Sequence, residues 1–163
     1  MADDRGVPLT GVLPESRDVL ELVDVSYRYA RAIDTRDWDL FNTLFTEDCI
    51  VDYGIKPVTG REAFLLISRR TVESLDATHH VFTNHEYSVD GDQAVGRFYM
   101  TAQHIKRDHP DGALYTLGGV YDDKLVRTST GWRIHNRLYR AIWGVGNATL
   151  LGNRFPNDST QSL

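Results

Sequence analysis

An α+β fold is predicted by two features of the chain. Apolar residues recur at helical spacing through the first half, and past Asp76 they give way to β-branched and aromatic runs of strand length separated by turn residues. Helices first and antiparallel strands afterwards predict N-terminal helices packed in a strongly curved antiparallel sheet. With 163 residues, 41% of them hydrophobic, the chain is long enough for one domain with a real core and too short for two.

Taken in order, residues 1-14 have turn composition and are expected to form a flexible N-terminal segment. The run "PESRDVLELVDVSYRYARAIDTRDWDLFNTLF" opens with a cap signal at Ser16 and accommodates two helices that meet near Thr35. Val23, Tyr27, Ala30 and Asp34 fall at steps of four, three and four, so an acid ends a row expected to face the core. "CIVDYG" reads as a short strand closed by glycine. "GREAFLLISRRTVESL" returns to helical periodicity, with Phe64, Leu65, Ile67 and Val72 as core contacts. Strands are expected at 79-89, 93-107, 113-128 and 132-143, the first two joined by the turn Asp90-Gly91-Asp92 and all four forming a meander. The domain spans 15-144, and 145-163 read as a tail that frays at its end.

A formal net charge of -5 and the lack of any Lys/Arg run argue against a nucleic-acid partner, because phosphate binding needs clustered positive charge. Cys49 is the single cysteine, so neither an internal disulfide nor a thiolate zinc cluster can be built from this chain. No apolar run approaches a membrane span, and the acidic, proline-punctuated start is unlike a signal peptide; a cytoplasmic protein with no membrane partner is expected. No Gly-x-Gly-x-x-Gly or Walker loop is present, and no cofactor is expected.

Residues 76-109 carry five of the six histidines. They show neither a His-Glu-x-x-His helix nor paired Cys/His spacing, and His79 and His80 point to opposite faces of a strand, so no metal is expected. His79, His85 and His109 read as solvent-facing. His104 shares a strand face with Ala94, Gly96, Phe98, Met100 and Ala102 and should point inward, where a hydrogen-bonded core histidine is the commoner occupant than a catalyst. Counting outward from the turn carries His80 and His104 to the same end of one hairpin, with the register open to a bulge.

The order of elements, together with "YARAIDTRDWDLFNTLFTEDCIVDYG", resembles the SnoaL-like, nuclear transport factor 2-like superfamily over approximately residues 15-144. Among its enzymes the motifs are closest to scytalone dehydratase and, in the first helix, to bile-acid dehydratase. The resemblance implies a cone-shaped α+β barrel, a small hydrophobic cyclic substrate of polyketide, aromatic or steroid type, and a homo-oligomer, a trimer rather than a dimer. It puts Asp34 at the carboxylate that orients a histidine, and His80, four residues before Asn84, at that histidine. "VDYG" puts Tyr53 at a water-holding tyrosine, and "TAQHIKR" puts His104 at the second pocket histidine. Tyr29 matches a first-helix tyrosine of bile-acid dehydratase and ketosteroid isomerase, and Asp52 falls where the isomerase keeps its base. The chain departs from scytalone dehydratase at Ile33, where that enzyme has a tyrosine, and near Tyr121, where an asparagine finds no equivalent; the fungal substrate is therefore not expected.

A neutral imidazole with a carboxylate on its other nitrogen is held in one tautomer and accepts a proton more readily, since the imidazolium meets a fixed negative charge. Removing a proton beside a carbonyl builds an enolate, which a tyrosine hydroxyl from Tyr53 or Tyr29 stabilises. A hydroxyl on the next carbon then leaves, with His104 or the His80 imidazolium donating its proton. Phe82, Phe98, Met100, Tyr121 and Trp143 are candidates for an apolar wall against a flat substrate, and each reads equally as core. Val95, Tyr99, Tyr139 and Trp143 among Arg97, Arg133, His135 and Arg137 suit a subunit interface on the outer face of the meander. A function of another class stays open: a non-catalytic binding module, or the structural small subunit of a ring-hydroxylating dioxygenase, neither of which needs Asp34 and His80 in contact.

Overall fold

The computed structural model describes residues 16-155, of Ser16 the backbone only. The expected flexible segment at 1-14 and the fraying end of the tail lie outside the described residues.

Helix α1 (Ser16–Thr35) is buried along Leu22, Val25, Tyr29, Ala32 and Ile33. The buried face is rotated from the row expected in the sequence, and Tyr27 is 54% exposed. The row through Leu22 and Ile33 has the more continuous apolar surface, and Tyr27 is flanked by Asp24, Arg28 and Arg31 on the polar side. Asp34 borders the buried face and is half-buried. The helix closes with Asp37 N–H on Ala32 O at 2.9 Å and Arg36 N–H on Ile33 O at 3.3 Å, around Arg36 at φ 58°. Helix α2 (Trp38–Asn42) is capped by Asp37, whose carboxylate accepts from Leu40 N–H. Capping therefore falls to Asp37, and Asp34 is free for other contacts.

Strands β1 (Phe45–Asp52) and β2 (Val58–Thr59), then α3 (Arg61–Glu73), lead into β3 (Ala77–Asp90), β4 (Gln93–Ile105), β5 (Leu114–Thr128) and β6 (Gly131–Gly146). Phe64 and Val72 of α3 are buried and Leu65 packs against the core, whereas Ile67, expected inside, is 42% exposed because it lies about a third of a turn from the centre of that face. The sheet order is β2-β1-β6-β5-β4-β3, so β3 to β6 form the expected antiparallel meander and β1 joins its far side parallel to β6. This is the predicted α+β architecture, with the helices against a curved six-stranded sheet. The two-residue β2 carries no periodicity in the sequence.

Three single-residue irregularities decide which side chains face inward. One lies in β3 between Thr83 and Glu86, with Asn84 at φ 56°. The other two lie in β6, at His135, between the pairs Leu125 with Ile134 and Lys124 with Asn136, and at Ile142, between Gly119 with Ala141 and Gly118 with Trp143. Each reverses the alternation that follows it. Arg137 and Tyr139, placed on the outer face by simple alternation, are 2% and 1% exposed. β6 continues to Gly146, and the 3-10 turn Ala148–Leu151 follows with Ala148, Leu150 and Leu151 buried, so packing extends past residue 144. No helix among the described residues is long and apolar enough to cross a membrane.

Candidate active site

The last turn of α1 and the first residues of β3 meet at Asp34. Its Oδ1 accepts from Thr78 Oγ1–H at 2.8 Å and from His80 Nδ1 at 2.7 Å, and its Oδ2 accepts from His80 N–H at 2.9 Å. Three donors from one strand thus fix both oxygens. Burial works to raise the Asp34 pKa, but these hydrogen bonds and the His80 ring outweigh it and hold the carboxyl below its ordinary value. The carboxylate at Nδ1 selects the Nδ1–H tautomer of His80 and leaves Nε2 as the basic nitrogen. The His80 side chain is 10% exposed. Thr78 is not singled out by the sequence; its signal is parity, since it lies two residues before His80 and so shares its face.

His104 points inward as the alternation of β4 requires, and is buried. Its Nδ1–H donates to Tyr115 O at 3.2 Å, and its ring stands edge-on to His80 with centroids 6.0 Å apart. Thr78 pairs with His104 and His80 with Ala102, which sets the two rings at one end of the hairpin. Burial, reinforced by the neighbouring His80 and opposed by Tyr115 O and Asp34, lowers the His104 pKa to about 4. At neutral pH this ring is an uncharged acceptor at Nε2.

Deeper in, Tyr29, Tyr53 and Tyr121 join in a chain of hydroxyls, 3.1 Å from Tyr29 to Tyr53 and 3.3 Å from Tyr53 to Tyr121. Burial raises all three well above the ordinary tyrosine value, so each keeps its proton. Three O–H donors share two links, which leaves one proton to give to another acceptor. Behind them Arg137 is held by Asp123 in a bidentate pair at 2.8 and 2.6 Å. Its Cζ lies 4.4 Å from the ring centroids of both Tyr29 and Tyr121, and its Nη1 meets no hydrogen-bond acceptor among the described residues. Burial would lower the guanidinium pKa; Asp123 reverses that, and the group stays charged beside the phenols. The bulge at His135 hides Arg137 from the sequence, although Asp123, an acid on the apolar parity of Tyr121 and Leu125, signals a buried partner.

Phe82, Phe98, Met100 and Tyr121 all lie in this interior, with Phe82 against Phe98 and Tyr121 at 5.3 and 5.8 Å and stacked on Tyr29 at 6.1 Å. Trp143 does not join them. The irregularity at Ile142 turns it to the outer face, where its indole covers Gly118 and would clash with any Cβ there. Asp52 is engaged locally, accepting from Gly54 N–H at 2.7 Å. His85, expected in solvent, is turned inward by the bulge of β3; it stacks on Phe98 at 5.0 Å and lies 2.7 Å from Ser26 Oγ through Nε2. Surface hollows lie between α3 and Arg154, and between Asp18, Glu21 and Arg127. Neither borders His80, which has the rings of Phe82 and His104 as neighbours, with centroids 6.2 and 6.0 Å away.

With this geometry in view, the SnoaL-like domain matches residues 14–138. The chain belongs to the SnoaL-like family. An uncharacterized protein of Mycobacterium tuberculosis, Rv2910c, is 30% identical over 128 residues, which cover 76% of this chain and 85% of that one. The terrestric acid biosynthesis cluster protein E of Penicillium crustosum is 26% identical over 155 residues, 90% of this chain and 95% of that protein. In three dimensions the chain is similar to a putative scytalone dehydratase of Novosphingobium aromaticivorans, with a TM-score of 0.76, 21% identity, and coverage of 90% and 96% of the two chains. This SnoaL-like chain and that protein thus share one fold.

Proposed function

We propose that the protein is a cofactor-free lyase or isomerase, of dehydratase or cyclase type, that removes a proton alpha to a carbonyl of a hydrophobic cyclic substrate. The observation that carries this reading is the Asp34 carboxylate, fixed by three donors, with His80 Nδ1 at 2.7 Å. That arrangement leaves His80 Nε2 to take the substrate proton, and the imidazolium that forms is stabilised by the ionised Asp34. The spare phenolic O–H of the Tyr29, Tyr53 and Tyr121 chain donates a hydrogen bond to the carbonyl oxygen, and the charge on Arg137 favours the enolate beside it. His104, neutral at working pH, accepts from the substrate hydroxyl and orients it. The His80 imidazolium then returns its proton to that oxygen, water leaves, and an unsaturated carbonyl remains. A carbon electrophile in place of the leaving hydroxyl turns the same enolate into a cyclisation.

Phe82, Phe98, Met100 and Tyr121 supply the apolar wall, and a flat ring enters by parting the contacts that these side chains make with Tyr29 and with one another. The protein acts in the cytoplasm as a homotrimer. Solvent-deuterium exchange at the alpha carbon of fused-ring hydroxy-ketones, followed by NMR, tests proton abstraction directly. His80→Ala should abolish exchange. Asp34→Asn should slow it about a hundredfold or more, in the range that general-base catalysis supplies. Exchange that is equally fast in Asp34→Asn and lost in Asp52→Asn would move the base to Asp52 and overturn these roles. Wild-type binding of the ketones without any exchange would leave a binding module.

A further inference from the structure

Arg36 occupies a backbone position that ordinarily goes to glycine. At φ 58° it forms the left-handed residue closing α1, where a side chain carries a conformational cost that glycine avoids. The side chain is put to use: Arg36 Nη2 donates to Leu75 O at 2.9 Å, Asp76 O at 3.3 Å and Val72 O at 3.5 Å. These carbonyls belong to the C-terminal end of α3 and to the link into β3, the end of a helix that attracts a cation. Asp76 is itself tied to β4, with its N–H on Ile105 O at 2.8 Å and its carboxylate accepting from Arg107 N–H at 2.6 Å. Asp34 lies two residues before Arg36, and Thr78 lies two residues after Asp76. Two polar links therefore run side by side from the end of α1 to the start of β3: Arg36 on Leu75 and Asp76, and Asp34 under Thr78 and His80.

We propose that Arg36 is a positioning residue: its guanidinium sets the separation of α1 from β3 and so holds Asp34 at hydrogen-bond distance from His80 Nδ1. The three contacts of Asp34 come from one strand segment, so a small displacement of that segment lengthens all of them together. Lysine is a poor substitute, since its nitrogen ends one bond short of the Nη2 that makes all three contacts and its compact ammonium is more strongly hydrated. The effect on turnover rests on the acid–base reading of Asp34 and His80; the geometry does not.

The test compares Arg36→Gly and Arg36→Lys with the wild type by NMR, following the titration of the Asp34 carboxyl carbon and the hydrogen-bonded Nδ1–H resonance of His80. Glycine relieves the backbone cost while deleting the clamp, so a role limited to closing the helix leaves both signals unchanged. The expected result for Arg36→Gly is an Asp34 pKa that rises toward the ordinary aspartate value and a His80 Nδ1–H signal broadened by exchange with water, with Arg36→Lys between. Should the glycine variant fail to fold, the same two readings on Arg36→Lys decide: a raised Asp34 pKa supports the role, and unchanged signals overturn it. A folded Arg36→Gly protein with both signals intact overturns it as well. With a turned-over ketone, kcat should fall about tenfold or more while KM holds. Absence of turnover in the wild type, with the NMR changes present in the variant, would remove the enzymatic reading and leave the positioning role standing.

Discussion

Acid should destabilise this protein through one buried ring. His104 is 7% exposed, gives its Nδ1–H to Tyr115 O, and has its pKa lowered to about 4 from an ordinary value of 6.5. Burial is the main cause, His80 adds to it, and Tyr115 O and Asp34 oppose it. The unfolded chain therefore takes up a proton at this ring before the folded chain does. The stability that the neutral ring contributes is complete above pH 6.5 and is lost as pH falls from there to about 4. At about 1.4 kcal/mol per pH unit, the loss is about 2 kcal/mol by pH 5 and about 3 kcal/mol in all. His104→Leu removes the titration. It also deletes a hydrogen bond, which offsets stability equally at every pH. Urea unfolding of both proteins at about pH 7.5 and 5 gives the gap between them, and His85, titrating in both, cancels from the comparison. The wild type should lose about 2 kcal/mol more than His104→Leu between the two pH values. An identical loss in the two proteins would show that His104 does not stay neutral in the folded chain, and with it the assignment of Nε2 as an acceptor would fall.

Thr78→Val keeps the shape of the side chain but removes a donor from Asp34 Oδ1. The Asp34 pKa should rise in a carboxyl-carbon titration, with exchange into the ketones slowed by about tenfold, less than in Asp34→Asn. Val81, Val95, Tyr99 and Trp143 stand exposed on the sheet. They are expected to be covered in a trimer, so light scattering should give three times the chain mass and Tyr99→Glu should lower it; a wild-type monomer at micromolar concentration would reject the interface.

The helices, the meander and the inward course of His104 were legible because periodicity holds over whole elements, and the β4 face from Ala94 to His104 shows it without a break. Asp34 and His80, which resemblance alone brought together, lie in hydrogen-bond contact. What periodicity could not give was the effect of single inserted residues. The bulges at Asn84 and His135 turn His85, Arg137 and Tyr139 inward, and the one at Ile142 cancels the second of these and restores the outward course that alternation gives Trp143. None of the three carries a glycine or proline at the inserted position to mark it. The rotation of α1 escapes periodicity for a related reason: Tyr27 is apolar enough to extend a stripe, and only the sheet decides which of two adjacent rows it covers.

The pairing of β1 with β6 also bears on when the interior is assembled. β3, β4, β5 and β6 are neighbours along the chain and can zip together as successive hairpins, whereas Phe45 must wait for Ile134, nearly at the far end. Tyr53 follows directly after β1, and Arg137 leans on Tyr29 from β6. The phenol chain and its cation therefore come together only when the earliest strand docks beside the latest one. Closing so long a loop is slow and entropically costly, so a chain that has folded its hairpins still lacks the phenol part of its candidate active site, and substitutions that weaken β1 should delay function more than they delay folding of the sheet.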